Sequence, residues 1–173
     1  MAGFYLSRLL EVDARLTNRM RIAERPGGLR SLAALLARSG DSWFWLLGLG
    51  VLWLAGDGYW KSRAVSLAIG ILVTAVIVMT TKFLVRRKRP EGDWGSIYRS
   101  TDPHSFPSGH AARAVMLAVL AIALGPAWLA IILVVWAPLV CLARVAMGLH
   151  YLSDVFAGFG FGIVMGAVIG LAI

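Results

Sequence analysis

The chain has 173 residues, 59% of them hydrophobic and 15% charged, with a mean hydropathy of +0.76. Soluble domains carry about 45–50% apolar and about 25% charged residues, so the composition excludes a disordered tail and an ordinary soluble globule and fits one membrane-embedded unit. The net charge of +8 does not indicate nucleic acid, because the cations sit at the ends of apolar segments, where membrane orientation accounts for them.

In chain order, residues 1–38 form an N-terminal arm and 39–173 a membrane domain. The arm holds Arg8, Arg15, Arg19, Arg21, Arg25, Arg30 and Arg38, with Phe4, Leu9, Leu10, Val12, Leu16 and Met20 at partly helical spacing. That pattern predicts an amphipathic helix lying on the bilayer and ended by Pro26-Gly27-Gly28. It has no apolar core of the kind a cleaved signal peptide needs. Uncharged stretches follow at 42–56, 64–81, 114–143 and 155–173. A spanning helix takes about 20 apolar residues. The third stretch is too long for one span and carries Gly125-Pro126 near its middle, which predicts two helices joined by a turn. The fold class is therefore all-α: a helical bundle with five spans, near 36–56, 64–86, 108–124, 127–147 and 153–173, plus the interfacial arm. Cys141 falls in an apolar run and is expected to be a buried small hydrophobe.

Three clusters carry chemistry. Lys82 and Arg89 lie seven apart at the end of the second span. A helix would put both on one face, and Pro90 would stop it there, aiming two cations at one phosphate. Pro107-Ser108-Gly109-His110 opens the third span. Ser108 is a suitable N-cap, Gly109 allows a ligand close to the backbone, and the first-turn amides form an anion site beside His110. Arg144 ends the fourth span after thirty uncharged residues. His150 and Asp154, four apart, flank the start of the fifth, so Asp154 is expected to accept a hydrogen bond from His150 and fix its tautomer. Spans alternate in direction, which brings all three clusters to one membrane face. Three cations, a helix-start anion site, two histidines and an aspartate there make a site for cleaving a phosphate ester through a histidine nucleophile.

These motifs resemble those of the type 2 phosphatidic acid phosphatase superfamily, which includes the vanadium haloperoxidases. The signatures K-x6-R-P, P-S-G-H and S-R-x5-H-x3-D match Lys82…Arg89-Pro90, Pro107-Ser108-Gly109-His110 and Arg144…His150…Asp154, with Ala143 standing where the family usually has Ser. The resemblance implies His150 as nucleophile forming a phosphohistidine and Asp154 as its orienting carboxylate. It implies His110 as acid to the leaving oxygen and then base to water. Lys82, Arg89, Ser108, Gly109 and Arg144 would bind the phosphoryl oxygens, with no metal and no cofactor. His104 belongs to no motif and reads as a loop residue.

The expected activity is that of an integral-membrane phosphatase acting on a lipid phosphate monoester or polyprenyl (di)phosphate. Alternatives are a lipid phosphotransferase of the same superfamily, a haloperoxidase, which the hydropathy disfavours, and a non-catalytic protein holding anionic lipid. The expected partners are the lipid phosphate and the bilayer, with no nucleic acid. Seven arm arginines and the cations Arg86, Arg87, Lys88, Arg89 and Arg99 lie on the site's face, against Lys61 and Arg63 opposite. In a cell membrane, the positive-inside rule then turns the active site toward the cytoplasm.

Overall fold

The computed structural model describes residues 2–92, 94 and 100–172, and these residues form seven helices and no sheet. They are α1 (Ala2–Met20), α2 (Gly28–Ser39), α3 (Ser42–Ala55), α4 (Gly58–Val85), α5 (Gly109–Leu124), α6 (Ala127–Ala146) and α7 (Leu152–Ala172). Three of them, α4, α6 and α7, are long and apolar enough to cross a membrane, while α3 and α5 are shorter apolar helices. At 1.5 Å per residue α4 is about 42 Å long and α5 about 24 Å, against a hydrocarbon core of about 30 Å.

The centre of the molecule is α5. Its residues from Ala111 to Ala118 are all buried, and it packs against α4, α6 and α7. The contact with α7 is the closest. Gly158, Gly162 and Gly166 recur every fourth residue on α7 and face α5. A Cβ on Gly162 would stand 2.5 Å from the Ala112 carbonyl oxygen, and one on Gly166 would stand 2.6 Å from the Val119 Cβ. Such small residues let helix backbones meet where lipid offers no hydrophobic drive to bring them together. Outward side chains such as Leu84, Ile122, Ile131 and Leu171 are exposed, as lipid-facing residues are.

Three expectations are corrected. The first span, expected to run through 36–56, is broken. One helix ends at Ser39 and another starts at Ser42. The break is stable because side chains take the carbonyls freed at the end of α2: Arg144 donates to Ala37 O, Arg113 to Gly40 O and Trp45 to Ser39 O. Gly40 allows a close approach here, since a Cβ would stand 3.2 Å from both the His110 and Val140 side chains. The stretch 57–63 is not a loop: Asp57 accepts from Trp60 N at 3.1 Å, a local N-cap that starts α4 at Gly58. The arm is two helices rather than one. Its first ends at Met20, before Pro26, and the second follows Gly27. Most large apolar side chains of α1, including Phe4, Tyr5, Leu9, Leu10 and Leu16, point away from the protein. The turn at Gly125-Pro126 is as expected, with α5 ending at Leu124 and α6 starting at Ala127. Cys141 is buried, with its thiol free.

Candidate active site

The ends of α4 and α6 and the starts of α5 and α7 meet at one end of the bundle, around a cavity of about 210 Å³. Lys82, Gly109, His110 and His150 line it, together with Asp102 and Arg113, and Val78 and Met79 of α4 form an apolar wall.

Lys82 reaches the site as expected, from the last turn of α4. Its buried ammonium donates to the His104 carbonyl at 2.6 Å and pairs with Asp102 Oδ2 at 2.8 Å. Arg89 arrives by another route than the predicted helix face. The helix stops at Val85, and Arg86 takes a left-handed conformation at φ 53°, donating its N–H to Lys82 O. The chain then runs on irregularly, tied by an isolated bridge between Lys88 and His104. Arg89 nevertheless converges with Lys82: its Nη2 donates to Asp102 Oδ2 at 2.8 Å, its Nε to Asp102 O at 2.8 Å, and its Nη1 to Leu149 O at 2.8 Å. The Asp102 carboxylate therefore sits between the two motif cations.

Ser108 caps α5, its hydroxyl accepting from Ala111 N at 3.5 Å, while its own N–H donates to Asp154 O at 2.9 Å. That bond ties the start of α5 to the start of α7. Gly109 packs against α4, where a Cβ would stand 3.3 Å from Val78. His110 faces an unexpected partner: its Nε2 lies 2.5 Å from Asp41 Oδ1. A carboxylate only accepts, so Nε2 carries the proton. Asp41 is delivered by the break between α2 and α3. Arg144 is fully buried on the last turn of α6. Ala143, in place of the usual Ser, is buried beside Ala37 and Met147 in a small apolar cluster.

His150 is buried between two groups that fix its tautomer. The Ser105 carbonyl lies 2.8 Å from Nδ1, and the Arg89 Nη1 donor lies 3.2 Å from Nε2. Nδ1 must therefore donate, which leaves the Nε2 lone pair on the arginine side. Burial, then the positive Arg89, Arg144 and Lys82, hold the imidazole pKa well below 6.5. The expected direct hydrogen bond from His150 to Asp154 is not made. Asp154 Oδ2 stands 3.7 Å from Nδ1 and accepts instead from Tyr151 N at 2.9 Å, while Oδ1 pairs with Arg87 at 2.7 Å. The reason is local: α7 begins at Leu152, so His150 precedes the helix and the four-residue spacing is not a helical one. His104 supplies its carbonyl to Lys82, and its ring lies edge-on to Phe83 at 5.7 Å. Arg99, counted among the loop cations, lies outside the described residues.

Sequence reasoning missed Asp41, Asp102, Arg113, Arg87 and the Ser105 carbonyl. Arg113, one turn beyond His110 in a run otherwise free of charge, carries a readable signal, since ionisable groups in spanning segments are functional by default. The acids had none, because each reaches its partner outside any shared helix, Asp41 from 69 positions away and Asp102 through the irregular chain after α4.

The chain resembles known proteins in both sequence and shape. The decaprenylphosphoryl-5-phosphoribose phosphatase of Mycobacterium tuberculosis is 36% identical over 101 residues, which cover 58% of this chain and 55% of that protein. The undecaprenyl-diphosphatase of Sulfolobus acidocaldarius is 28% identical over 140 residues, 78% of this chain and 66% of that protein. The matched regions thus span between about half and two thirds of those relatives. Among solved structures, a transmembrane PAP2-type phosphatidylglycerolphosphate phosphatase from Bacillus subtilis superposes with a TM-score of 0.76 at 22% identity, covering 97% of this chain and 87% of that one. Aquifex aeolicus LpxE superposes with a TM-score of 0.71 at 26% identity, covering 95% and 94%. The sequence pattern of the PAP2 superfamily matches residues 63–172, from the first turns of α4 to the last residue of α7. With the pattern covering all three motifs and the same helical fold in its structural neighbours, this membrane-embedded chain belongs to the PAP2 superfamily.

Proposed function

We propose that the protein is an integral-membrane phosphatase that removes phosphate from a lipid phosphate monoester or polyprenyl (di)phosphate by way of a phosphohistidine at His150. The observation that carries this reading is the paired orientation of the two imidazoles. The Nδ1–H of His150 is held on the Ser105 carbonyl, so Nε2 carries the lone pair that attacks phosphorus. His110, held by Asp41, stands on the same cavity. The relatives' names support the substrate class, both naming polyprenyl compounds.

In the first step the Nε2–phosphorus bond forms as the bond to the lipid oxygen breaks, and that oxygen takes a proton from the His110 imidazolium. In the second step His110 accepts a proton from water, whose oxygen attacks phosphorus and releases phosphate from Nε2. Asp41 stabilises the protonated His110 before the first step and after the second. Phosphoryl transfer depends on positioning and charge neutralisation. Lys82, Arg89 and Arg144, with Ser108 and the Gly109 N–H, supply both. Among the described residues no group of three His, Cys, Asp or Glu has the spacing to hold a metal ion, so we assign the charge neutralisation to these cations. The phosphate displaces the Asp102 carboxylate from Lys82 and Arg89.

The arm and the site share one end of the molecule, and the arm's arginines turn that end to the cytoplasm. Cysteines introduced at Ala2 and Ser96 should resist a membrane-impermeant thiol reagent in intact cells; rapid labelling at both sites would reverse the orientation. Phosphate release from a panel of lipid phosphates in excess EDTA tests the activity. Release is expected from the wild type and none from His150→Ala. A strict requirement for a divalent ion by the enzyme itself would overturn the metal-independent scheme.

A further inference from the structure

The arm lies outside the matched superfamily region, yet it touches the start of the helix that carries Asp154. Asp13 on α1 accepts from Ser153 N at 3.0 Å through Oδ1, and its Oδ2 takes both the Ser153 hydroxyl and Arg87 Nη2, the latter at 2.7 Å. Thr17, one turn on and fully buried, accepts from Leu152 N at 3.0 Å. Leu152 and Ser153 are the first residues of α7, and their amides have no partner within that helix. A helix start ordinarily finds its cap in the residue just before it. Here two side chains of another helix serve instead.

The chain of contacts continues inward. Arg87 donates through Nη1 to Asp154 Oδ1 and to Ser153 Oγ, both at 2.7 Å, and its guanidinium lies 4.1 Å over the Tyr151 ring. Asp154 in turn holds Tyr151 N and stands 3.7 Å from His150. Arg87 is therefore shared between one carboxylate beside the nucleophile and one on the arm. The arm is fastened at a second point, where Ile22 N donates to Ala146 O at 2.9 Å.

We propose that Asp13 is a positioning residue for the reaction: it caps α7 and holds Arg87, and Arg87 holds Asp154 at its distance from His150. The inference rests on the phosphatase reading above. The arm becomes a part of the catalytic centre supplied by a segment that is otherwise amphipathic and basic. Burial raises the pKa of Asp13, but its hydrogen bonds from Ser153 and Arg87 outweigh this and keep it below the usual carboxylate value. Asp13→Asn keeps the shape, removes the charge and turns one acceptor into a donor facing Arg87.

The experiment measures steady-state hydrolysis of a lipid phosphate by the full-length protein in detergent. Wild type, Asp13→Asn, Asp13→Glu, Arg87→Gln and the double variant Asp13→Asn/Arg87→Gln are compared, with His150→Ala as the blank. Asp13→Asn should lower kcat on the order of 10²-fold, the scale of an ångström-sized misplacement of reacting groups. KM and vanadate inhibition should stay near wild type, because Lys82 and Arg89 are untouched. Asp13→Glu should recover part of the loss. The double variant should lose no more than Arg87→Gln alone, because both changes break one chain of contacts. Hydrogen exchange at Leu152 and Ser153 should speed up in Asp13→Asn while the protein keeps its elution volume. Wild-type kcat in Asp13→Asn, or fully additive losses in the double variant, would overturn the proposal. Should Asp13→Asn not fold, Asp13→Ser, which removes the carboxylate and keeps a small polar group, takes its place: wild-type kcat in Asp13→Ser with a large Arg87→Gln loss would show that the arm contributes nothing. A wild type no more active than His150→Ala would sink the phosphatase reading instead, and the exchange rates would still report whether Asp13 caps α7.

Discussion

The α5–α7 pair and the arm with the α2–α3 break are built by opposite means. The pair is held by backbone proximity: glycines of α7 lie on α5, and the Ser108 N–H reaches the Asp154 carbonyl. Every motif residue on these two helices falls inside the region matched to the superfamily. The arm and the break are held by side chains, with Arg113 and Arg144 on the carbonyls ending α2 and Asp13 and Thr17 on the amides starting α7. The inner pair, with the turn just before α7, presents His110, His150 and Asp154, and the outer segments add the carboxylates Asp41 and Asp13. Losses inside should therefore be losses of chemistry, and losses outside should be graded.

The sharpest test of that division is His150→Ala, which should abolish turnover while leaving the fold intact. Substantial phosphate release by this variant would end the distinction between inner and outer roles. His110→Ala should cost roughly 10²–10⁴-fold in kcat, the usual share of a general acid. Asp41→Asn should cost less, on the order of 10-fold, because a hydrogen bond to an orienting group is worth about 1.5 kcal/mol or somewhat more when charged. Equal losses for these two variants, measured with the same substrate, would move Asp41 from orienting to reacting group.

A change in packing should act differently. Gly162→Val places a branched side chain against the Ala112 carbonyl and should lower the thermal midpoint markedly, whereas Gly160→Ala, which meets nothing within 4 Å, should leave it near wild type. Similar midpoints for the two would deny that α5 and α7 are held by contact.

A titration separates the environments further. The lowered pKa of His150 favours its neutral form, so at about pH 6 the ring should remain neutral, with its proton on Nδ1, in nitrogen-resolved NMR. The unfolded chain would take up that proton first, so the stability linked to His150 is complete above pH 6.5 and declines as the pH falls below it. A charged His150 at pH 6.5 would contradict the assigned burial. The smallest expected effect belongs to Asp102→Asn. Removing the charge that competes with phosphate for Lys82 and Arg89 should tighten vanadate inhibition several-fold. Weaker inhibition would make Asp102 a holder of the cations rather than a competitor.

Much of this was legible in the chain. The apolar stretches gave the helical class, Gly125-Pro126 gave the turn, and the three motifs contain Lys82, Gly109, His110 and His150, which line the cavity. The routes were less legible. Lys82 and Arg89 converge although Arg86 ends the helix between them, because a side chain as long as arginine can reach the same point from an irregular backbone. The spacing of His150 and Asp154 misled because the helix starts after the histidine, and a count of four means one face only inside a helix. Asp13, Asp41 and Asp102 meet Ser153, His110 and Arg89 across 140, 69 and 13 positions, and no helical period encodes contacts of that kind.

The glycine contacts of α7 also act as a ruler. Because Gly158, Gly162 and Gly166 each seat a strip of α5, one helix cannot slide along the other by a fraction of a turn without pressing a larger side chain into a space that admits none. The next seating that would match glycine to glycine lies one repeat of four residues away, about 6 Å. A displacement of that size would part Ser108 from Asp154 and carry His150 away from Arg89. The active site thus has one working register, with no graded set of looser ones beside it.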